Sequence, residues 1–302
     1  MIIKQEYDQA EKVFLQLEKT RKDIPLGKIY LAAVLIAESF DYQAEYDHNK
    51  ITAYLEVAKK ISERLLKNDK NNIWNKYYYA LSEGYSAYYD ALREKWLSAF
   101  STGVNSVSAF EDCLNTDPDF YESMIALGSY KFWKSKKTEF LNWLPFIDDE
   151  KDLGISYLQN AVKHSGYNSH LAVYSLIWIY IEQKQYDKAI MLSEDALKNY
   201  PDSRMFKWGL ARALEDVNLE RSISVYYDIL NSYPDSLKTN KINVVTLKHI
   251  IAQQLVKLKR NDEALNICTE ILNINGYTDF EYDKLEDRIE RVKDLKKSLT
   301  RK

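Results

Sequence analysis

The side chains most often used in catalysis or metal binding are few in this chain, and their spacing matches no known site. The four histidines, His48, His164, His170 and His249, form no His-Glu-x-x-His pair and no other metal-ligand spacing. Neither a glycine-rich phosphate loop nor a Gly-x-Ser-x-Gly nucleophile motif occurs. The sequence therefore predicts a protein that is not an enzyme and that needs no cofactor or metal. Catalysis by residues assembled from distant parts of the chain stays open.

One acidic cluster, Asp148 to Glu150, has the carboxylates that a cation such as Ca²⁺ prefers. The alternative interpretation, which we favour, is that these carboxylates stand at the start of a helix, where the helix dipole stabilises negative charge.

Aromatic residues are unusually frequent, with 24 Tyr, 10 Phe and 6 Trp. Several of the tyrosines follow one another at helical spacing between Ile73 and Leu92, which is typical of core packing with hydroxyl groups at the rim. A second aromatic segment, Phe140 to Phe146, contains Trp143 and is strongly apolar, although loops are usually polar. It either folds back onto neighbouring helices or forms a wedge that contacts a partner or a membrane.

Composition narrows the class of protein. With 8 Gly and 5 Pro in 302 residues, 46% hydrophobic and 29% charged, the chain is predicted to be globular and almost entirely α-helical. The net charge of −3 argues against an extended nucleic-acid interface. No apolar run reaches the length of a membrane-spanning helix, and the first residues do not resemble a signal peptide. We expect a cytoplasmic protein, or a periplasmic or envelope protein if a signal has been trimmed, with Cys113 and Cys268 as buried free thiols.

An internal repeat indicates the architecture. The tetrapeptide Tyr-Pro-Asp-Ser occurs at 200–203 and again at 233–236, so that Pro201 and Pro234 lie 33 positions apart. Each copy follows an amphipathic stretch, and proline stops a helix. A period of this size is typical of a helical-repeat solenoid, in which each helix pair buries its apolar face against its neighbours.

The clearest unit pairs a helix at 171–181 with a second helix at 186–199, and it resembles the tetratricopeptide repeat family. The matching residues are Leu176, Tyr180, Ala189, Ala196 and Pro201, while isoleucine replaces the family's glycine at 177. The units at 204–233 and 245–275 match more loosely. A weaker likeness, based on the Trp-Leu-Pro-Phe segment, is to the Iml2/TTC39-type branch of outer-membrane and lipid-droplet-linked proteins.

This resemblance implies an all-α, right-handed α-solenoid of about six to seven antiparallel helix pairs. We expect a single domain over 1–302. It would begin with degenerate helices at 1–70 and continue with repeats at 71–275, interrupted by an apolar insertion at 134–150. A polar capping helix would lie within 276–302, at 282–299.

The resemblance also implies a concave groove along the first helices of the repeats. Carried over onto this sequence, the groove positions with the side chains most often important at interfaces are Phe132, Trp133, Tyr174, Trp178, Trp208, Arg212 and His249. Core packing is the alternative for any one of them. The sequence thus predicts a non-catalytic scaffold that binds a peptide or helix of a protein partner, which could be a second copy of the chain. The alternative is an envelope- or membrane-associated component that uses 140–146, including Trp143.

Overall fold

The computed structural model describes residues 1–139, 148–233 and 241–300. These residues form a short 3-10 helix at Ile2–Lys4 and fourteen α-helices, and they contain no strand, which confirms the all-α class and its solenoid type of helix pairs. The α-helices are α1 Tyr7–Thr20, α2 Leu26–Tyr42, α3 His48–Asn68, α4 Ile73–Leu92, α5 Trp96–Thr116, α6 Tyr121–Lys137, α7 Lys151–His164, α8 Ser169–Glu182, α9 Tyr186–Asn199, α10 Arg204–Leu214, α11 Leu219–Asn231, α12 Lys241–Lys257, α13 Asn261–Leu272 and α14 Asp279–Thr300.

Local signals explain where the helices begin and end. Periodicity predicts a helix over 26–46, but α2 ends at Tyr42, because Gln43 adopts a left-handed conformation with φ of 51°. α14 begins three residues before the predicted Tyr282. The Thr278 hydroxyl accepts a hydrogen bond from Glu281 N at 3.2 Å, and the Glu281 carboxylate accepts one from Thr278 N at 2.9 Å. This reciprocal capping box was present in the sequence, and the prediction missed it.

The described residues group into two compact units. Unit 1 comprises Met1–Glu38 and Tyr46–Ile179, and unit 2 comprises Ser39–Glu45 and Tyr180–Lys302. The single solenoid domain expected from the sequence stays a prediction, and the two units are described separately below.

In unit 1, small residues let two pairs of helices approach closely. A Cβ atom on Gly128 of α6 would lie 2.7 Å from the carbonyl oxygen of Gly154 on α7, and a Cβ atom on Gly154 would lie 2.6 Å from the carbonyl oxygen of Gly128. In the α4–α5 pair, the Ser106 hydroxyl donates a hydrogen bond to the Ala80 carbonyl at 2.8 Å. Residues 138–150 connect α6 to α7. Within the predicted insertion, 134–137 form the last turn of α6, and 140–147, including Trp143, lie outside the described residues.

In unit 2, a buried ion pair lies beside the apolar core. The guanidinium of Arg204, on α10, donates to both carboxylate oxygens of Asp41, with Nε 2.8 Å from Oδ1. The same guanidinium lies over the rings of Tyr42 and Tyr233, 5.5 and 4.5 Å from their centroids. The charge is therefore buried together with its counter-ion and two aromatic faces, which is the arrangement that makes a buried cation tolerable.

Two further expectations concern the cysteines and membrane-spanning helices. Cys113 and Cys268 are both buried and free, as predicted, and burial raises the pKa of both thiols, that of Cys113 to about 11. Among the helices of the described ranges, none is long and apolar enough to cross a membrane.

Candidate functional site

A cavity of about 760 Å³ lies in unit 1, between α2, α4, α5, α6 and the start of α8. Its wall is dominated by aromatic rings, so we call it the tyrosine cavity. The tyrosines that line it are Tyr30, Tyr77, Tyr85, Tyr88, Tyr130 and Tyr174. Phe100 and Val104 of α5 line it too and are largely exposed, so the apolar wall continues onto the surface of the protein.

The spacing of α4 explains why so many tyrosines share this cavity. Tyr77, Leu81, Tyr85 and Tyr88 are separated by four, four and three positions, so they lie on one face of the helix. The opposing wall comes from α5. Small residues allow α4 and α5 to approach closely. A Cβ atom on Gly84 of α4 would lie only 2.9 Å from the Ser106 hydroxyl of α5. A side chain at Gly84 would displace the Ser106 hydroxyl from its hydrogen bond with the Ala80 carbonyl.

One carboxylate contributes to the wall, and it is held by three hydrogen-bond donors. Glu122, in the first turn of α6, is buried. It accepts hydrogen bonds from the Ser165 hydroxyl at 2.7 Å, the Tyr167 amide at 2.8 Å and Asn168 Nδ2 at 3.1 Å. No basic side chain among the described residues pairs with it. These donors and the N-terminal end of the α6 dipole are directed at the carboxylate.

Burial favours the neutral form of five of the cavity tyrosines. Burial is the largest effect on Tyr30, Tyr85, Tyr88 and Tyr174 and raises the pKa of each phenol above its usual value; it raises the pKa of Tyr77 well above it. Apart from the Glu122 carboxylate, the cavity therefore presents apolar surface and neutral hydrogen-bonding groups.

Comparison with known protein families identifies the clearest repeat. Residues 171–203, which contain most of α8 and all of α9, match the family model described as tetratricopeptide repeat. The chain carries a tetratricopeptide repeat. This confirms the resemblance drawn from Leu176, Tyr180, Ala189, Ala196 and Pro201. The first helix of this repeat, α8, contributes Tyr174 and Ser175 to the tyrosine cavity.

Several solved structures match this chain at low sequence identity. They include the C-terminal part of a repeat-containing protein from Cytophaga hutchinsonii, at 17% identity and TM-score 0.47, covering 92% of this chain and 94% of that one. Human IFIT1, solved as a dimer with PPP-AAAA, has 14% identity and TM-score 0.48, covering 97% of this chain and 62% of that one. Yeast Tom70 has 13% identity and TM-score 0.41, covering 90% of this chain and 66% of that one.

Identities this low carry no functional argument. The chain spans less than two thirds of the IFIT1 and Tom70 chains. Comparison with curated protein sequences gives no match.

The groove residues expected in unit 1 occupy different environments. Tyr174 lines the tyrosine cavity, and its ring meets Trp178 edge-on, with centroids 6.2 Å apart. Phe132 is fully buried, and its backbone and Cβ lie where a side chain on Gly154 would be, so its ring packs in the helix interface rather than on an exposed surface. Trp133 is half-buried, with its ring edge-on to Phe132 at 5.2 Å.

The groove residues expected in unit 2 also differ in exposure. Trp208 is half-buried and contacts the Tyr226 ring at 5.4 Å. Arg212 is exposed and pairs with Glu215. His249 is buried in the unit 2 core. A role in partner binding stays a prediction for these residues and for those of unit 1.

The acidic cluster that could have held a cation is paired with lysines instead. Glu150 Oε1 lies 2.5 Å from Lys131 Nζ, and Asp149 Oδ2 lies 3.1 Å from Lys151 Nζ. Burial alone would raise the pKa of Glu150, but the hydrogen bonds and charges of Lys131 and Lys134 outweigh it, so the pKa is lowered. Among the described residues, no group of three or more His, Cys, Asp or Glu side chains could hold a metal ion.

The sequence analysis missed the contribution of α5. Trp96, Phe100, Val104 and Val107 lie four, four and three positions apart on that helix, which is one apolar face. Three of them are largely exposed, as is the neighbouring Leu97. The sequence therefore did contain a signal for this part of the site. It is an apolar face on α5 that is larger than packing within the helix pair requires.

Proposed function

We propose that this chain is a non-catalytic protein-interaction scaffold whose tyrosine cavity binds apolar side chains of a partner peptide or helix. The observation that carries the proposal is the cavity itself: a concave, largely aromatic site formed by the first helices of several helix pairs together with α5. Helical-repeat proteins generally use such concave surfaces for binding.

The size and chemistry of the cavity favour apolar side chains. Its volume of about 760 Å³ lies within the roughly 300–1,000 Å³ of typical binding sites. The polar groups of the wall already bond to one another, as when Ser129 Oγ meets Ser175 Oγ at 3.0 Å. An anionic ligand group would lose its hydration and find no basic side chain among the lining residues, whereas apolar surface gains about 25 cal/mol per Å² removed from water.

The exposed rim favours a protein ligand over a small molecule. Phe100 is 75% exposed, and Tyr88, Val104 and Tyr130 are also exposed where they line the cavity. A peptide or amphipathic helix that places one or two side chains in the cavity would cover this rim with its flanking residues. A second copy of the chain could provide that segment, and sedimentation at increasing concentration distinguishes this case from a separate partner.

The test is a selection of peptides against the purified chain, followed by measurement of the dissociation constants. Phe100→Ser removes an exposed ring at the cavity, and Met191→Ser removes a similarly exposed apolar side chain, 66% exposed, that does not line it. We expect Phe100→Ser to weaken selected peptides by about tenfold or more, as for interface hot spots, and Met191→Ser to have no effect.

A second variant fills the cavity without disturbing the packing. Gly103 lines the cavity, and a Cβ atom there would meet only Ala87 Cβ, at 3.8 Å, so we expect Gly103→Leu to fold and to occupy part of the space that a ligand needs. Peptides that bind Phe100→Ser and Gly103→Leu as tightly as the original chain would exclude the cavity as the binding site.

A second candidate function is association with a membrane or envelope through an apolar wedge. The observation that favours it is the start of α5, where Leu97 is 92% and Trp96 66% exposed, next to the basic Arg93 and Lys95. Aromatic and aliphatic side chains beside cations are typical of interfacial membrane contacts. The apolar 140–146 insertion, with Trp143, lies outside the described residues.

Vesicle flotation tests this candidate. With vesicles that contain anionic lipid, Leu97→Asp and Trp143→Asp should each reduce binding, while Met191→Asp should not. Absence of flotation for the unmodified chain would remove this candidate and leave the peptide-binding proposal untouched.

A further inference from the structure

We propose that unit 2 contains an oxyanion-binding site on α14, formed by the guanidinium groups of Arg288 and Arg291. His249 contacts Arg288 and holds it in position. This site is separate from the proposed function of the tyrosine cavity in unit 1. Arg288 and Arg291 lie three positions apart and therefore project from the same side of α14.

The contact with His249 fixes the orientation of the Arg288 guanidinium. Arg288 is half-buried, and its NH1 atom lies 3.4 Å from Nδ1 of His249, which is 2% exposed on α12. A guanidinium can only donate, so Nδ1 accepts and the proton of the neutral imidazole is on Nε2. Burial, together with the positive charges of Arg288 and Arg291, lowers the pKa of His249 to about 4. The imidazole therefore stays neutral and holds Arg288 without adding charge.

Within the described ranges, no carboxylate pairs with Arg288 or Arg291. Other arginines of unit 2 do have such partners: Arg204 pairs with Asp41, and Arg260 with both Glu220 and Glu263. Burial, and then the charge of Arg291, lowers the pKa of Arg288. Two neighbouring cations, one of them half-buried and neither within ion-pair distance of a described carboxylate, would gain from binding an anion.

The ligand chemistry follows from the donors. Planar guanidinium groups bind carboxylate and phosphate oxygens through paired hydrogen bonds. Two cations are too few for the run of phosphate contacts that nucleic-acid binding requires, and the chain as a whole has a net charge of −3. The site therefore suits a single oxyanion group, a carboxylate or a phosphate monoester, on a small ligand or a peptide.

The test follows the imidazole signals of the full chain by NMR at pH 7, while inorganic phosphate or acetate is added at constant ionic strength. His48, His164 and His170 lie in unit 1 and serve as internal references. We expect a saturable shift of the His249 signal alone. The two anions identify the preferred oxyanion, since the one that saturates at lower concentration has the better-matched geometry. Absence of a saturable shift with both anions would overturn the proposal.

Variants separate specific binding from general screening. Arg288→Gln should weaken the anion by about tenfold or more, and Arg291→Gln, at the exposed position, by about two- to fivefold. Arg221→Gln, which removes an exposed arginine paired with Glu194, should leave the affinity unchanged. If Arg288→Gln does not fold, Arg291→Gln decides the matter, and an unchanged affinity in that variant contradicts the site.

Discussion

The close crossing of α6 and α7 gives the sharpest stability prediction. Gly128→Ala should destabilise unit 1, although alanine is the better helix former. The new Cβ would lie 2.7 Å from the Gly154 carbonyl oxygen and 2.8 Å from Leu158 Cγ, whereas ordinary contacts begin near 3.4 Å. The first of these atoms belongs to the backbone of α7 and cannot rotate away, so the two helices must separate by several tenths of an ångström.

The magnitude is the balance of two effects. Replacing glycine by alanine inside a helix gains about 1 kcal/mol, and overpacking a close contact costs about 1–3 kcal/mol. Because the clash involves backbone atoms, we expect the upper part of that range and a net loss of about 1–2 kcal/mol. For a unit of this size, that lowers the midpoint of thermal unfolding by about 2–8 °C.

The matched control is the same substitution where there is room. At Gly103 the added Cβ would meet only Ala87 Cβ, at 3.8 Å. Gly103→Ala should therefore keep the gain in helix propensity of about 0.5–1 kcal/mol and raise the midpoint. Thermal unfolding followed by circular dichroism measures both variants. If both substitutions raise the midpoint, the close approach of α6 and α7 is refuted.

Further predictions concern the remaining contacts. Ala189→Trp, at a fully buried position, should cost about 1–3 kcal/mol, and Ala196→Trp, at a half-buried one, should cost less; an unchanged unfolding midpoint for both would contradict the packing of α9. Arg204→Met leaves Asp41 without its partner, which should cost about 3–5 kcal/mol in urea unfolding, with a smaller cost in the double variant Asp41→Asn/Arg204→Met. His249 takes up its proton at about pH 4 when folded and at 6.5 when unfolded. Stability should therefore fall by roughly 3 kcal/mol as the pH drops from 6.5 to 4, and His249→Gln should lack this part of the pH dependence.

Helix positions could be predicted well because they depend on neighbours along the chain. α4 and α9 have the bounds expected from periodicity and from the stop signals around them. The tetratricopeptide repeat was identifiable for the same reason, since its apolar and small residues recur within one helix pair. Boundaries failed where a single local group decided them, as with the capping box at Thr278 and the left-handed conformation of Gln43.

The candidate site was predicted only in part. Periodicity places Tyr77, Tyr85 and Tyr88 on one face of α4. The same spacing is found whether such a face is buried in the core or lines a cavity. Which of these occurs depends on α5, whose small residues bring it close to α4 while Phe100 is left exposed. Phe132 shows the reverse case. The repeat pattern places it in a groove, yet the pair of glycines at the α6–α7 crossing lets it become fully buried.

The sequence by itself determined the helices, the repeat and the buried state of the two cysteines, because each depends on spacing within a few turns of chain. The tertiary structure alone decided the tyrosine cavity, the pairing of Asp41 with Arg204 and the contact of Arg288 with His249. These join residues far apart along the chain, 163 positions in the case of Asp41 and Arg204. Charge and hydrophobicity identify such residues as needing partners, but only the packing of the helices selects which partner each one meets.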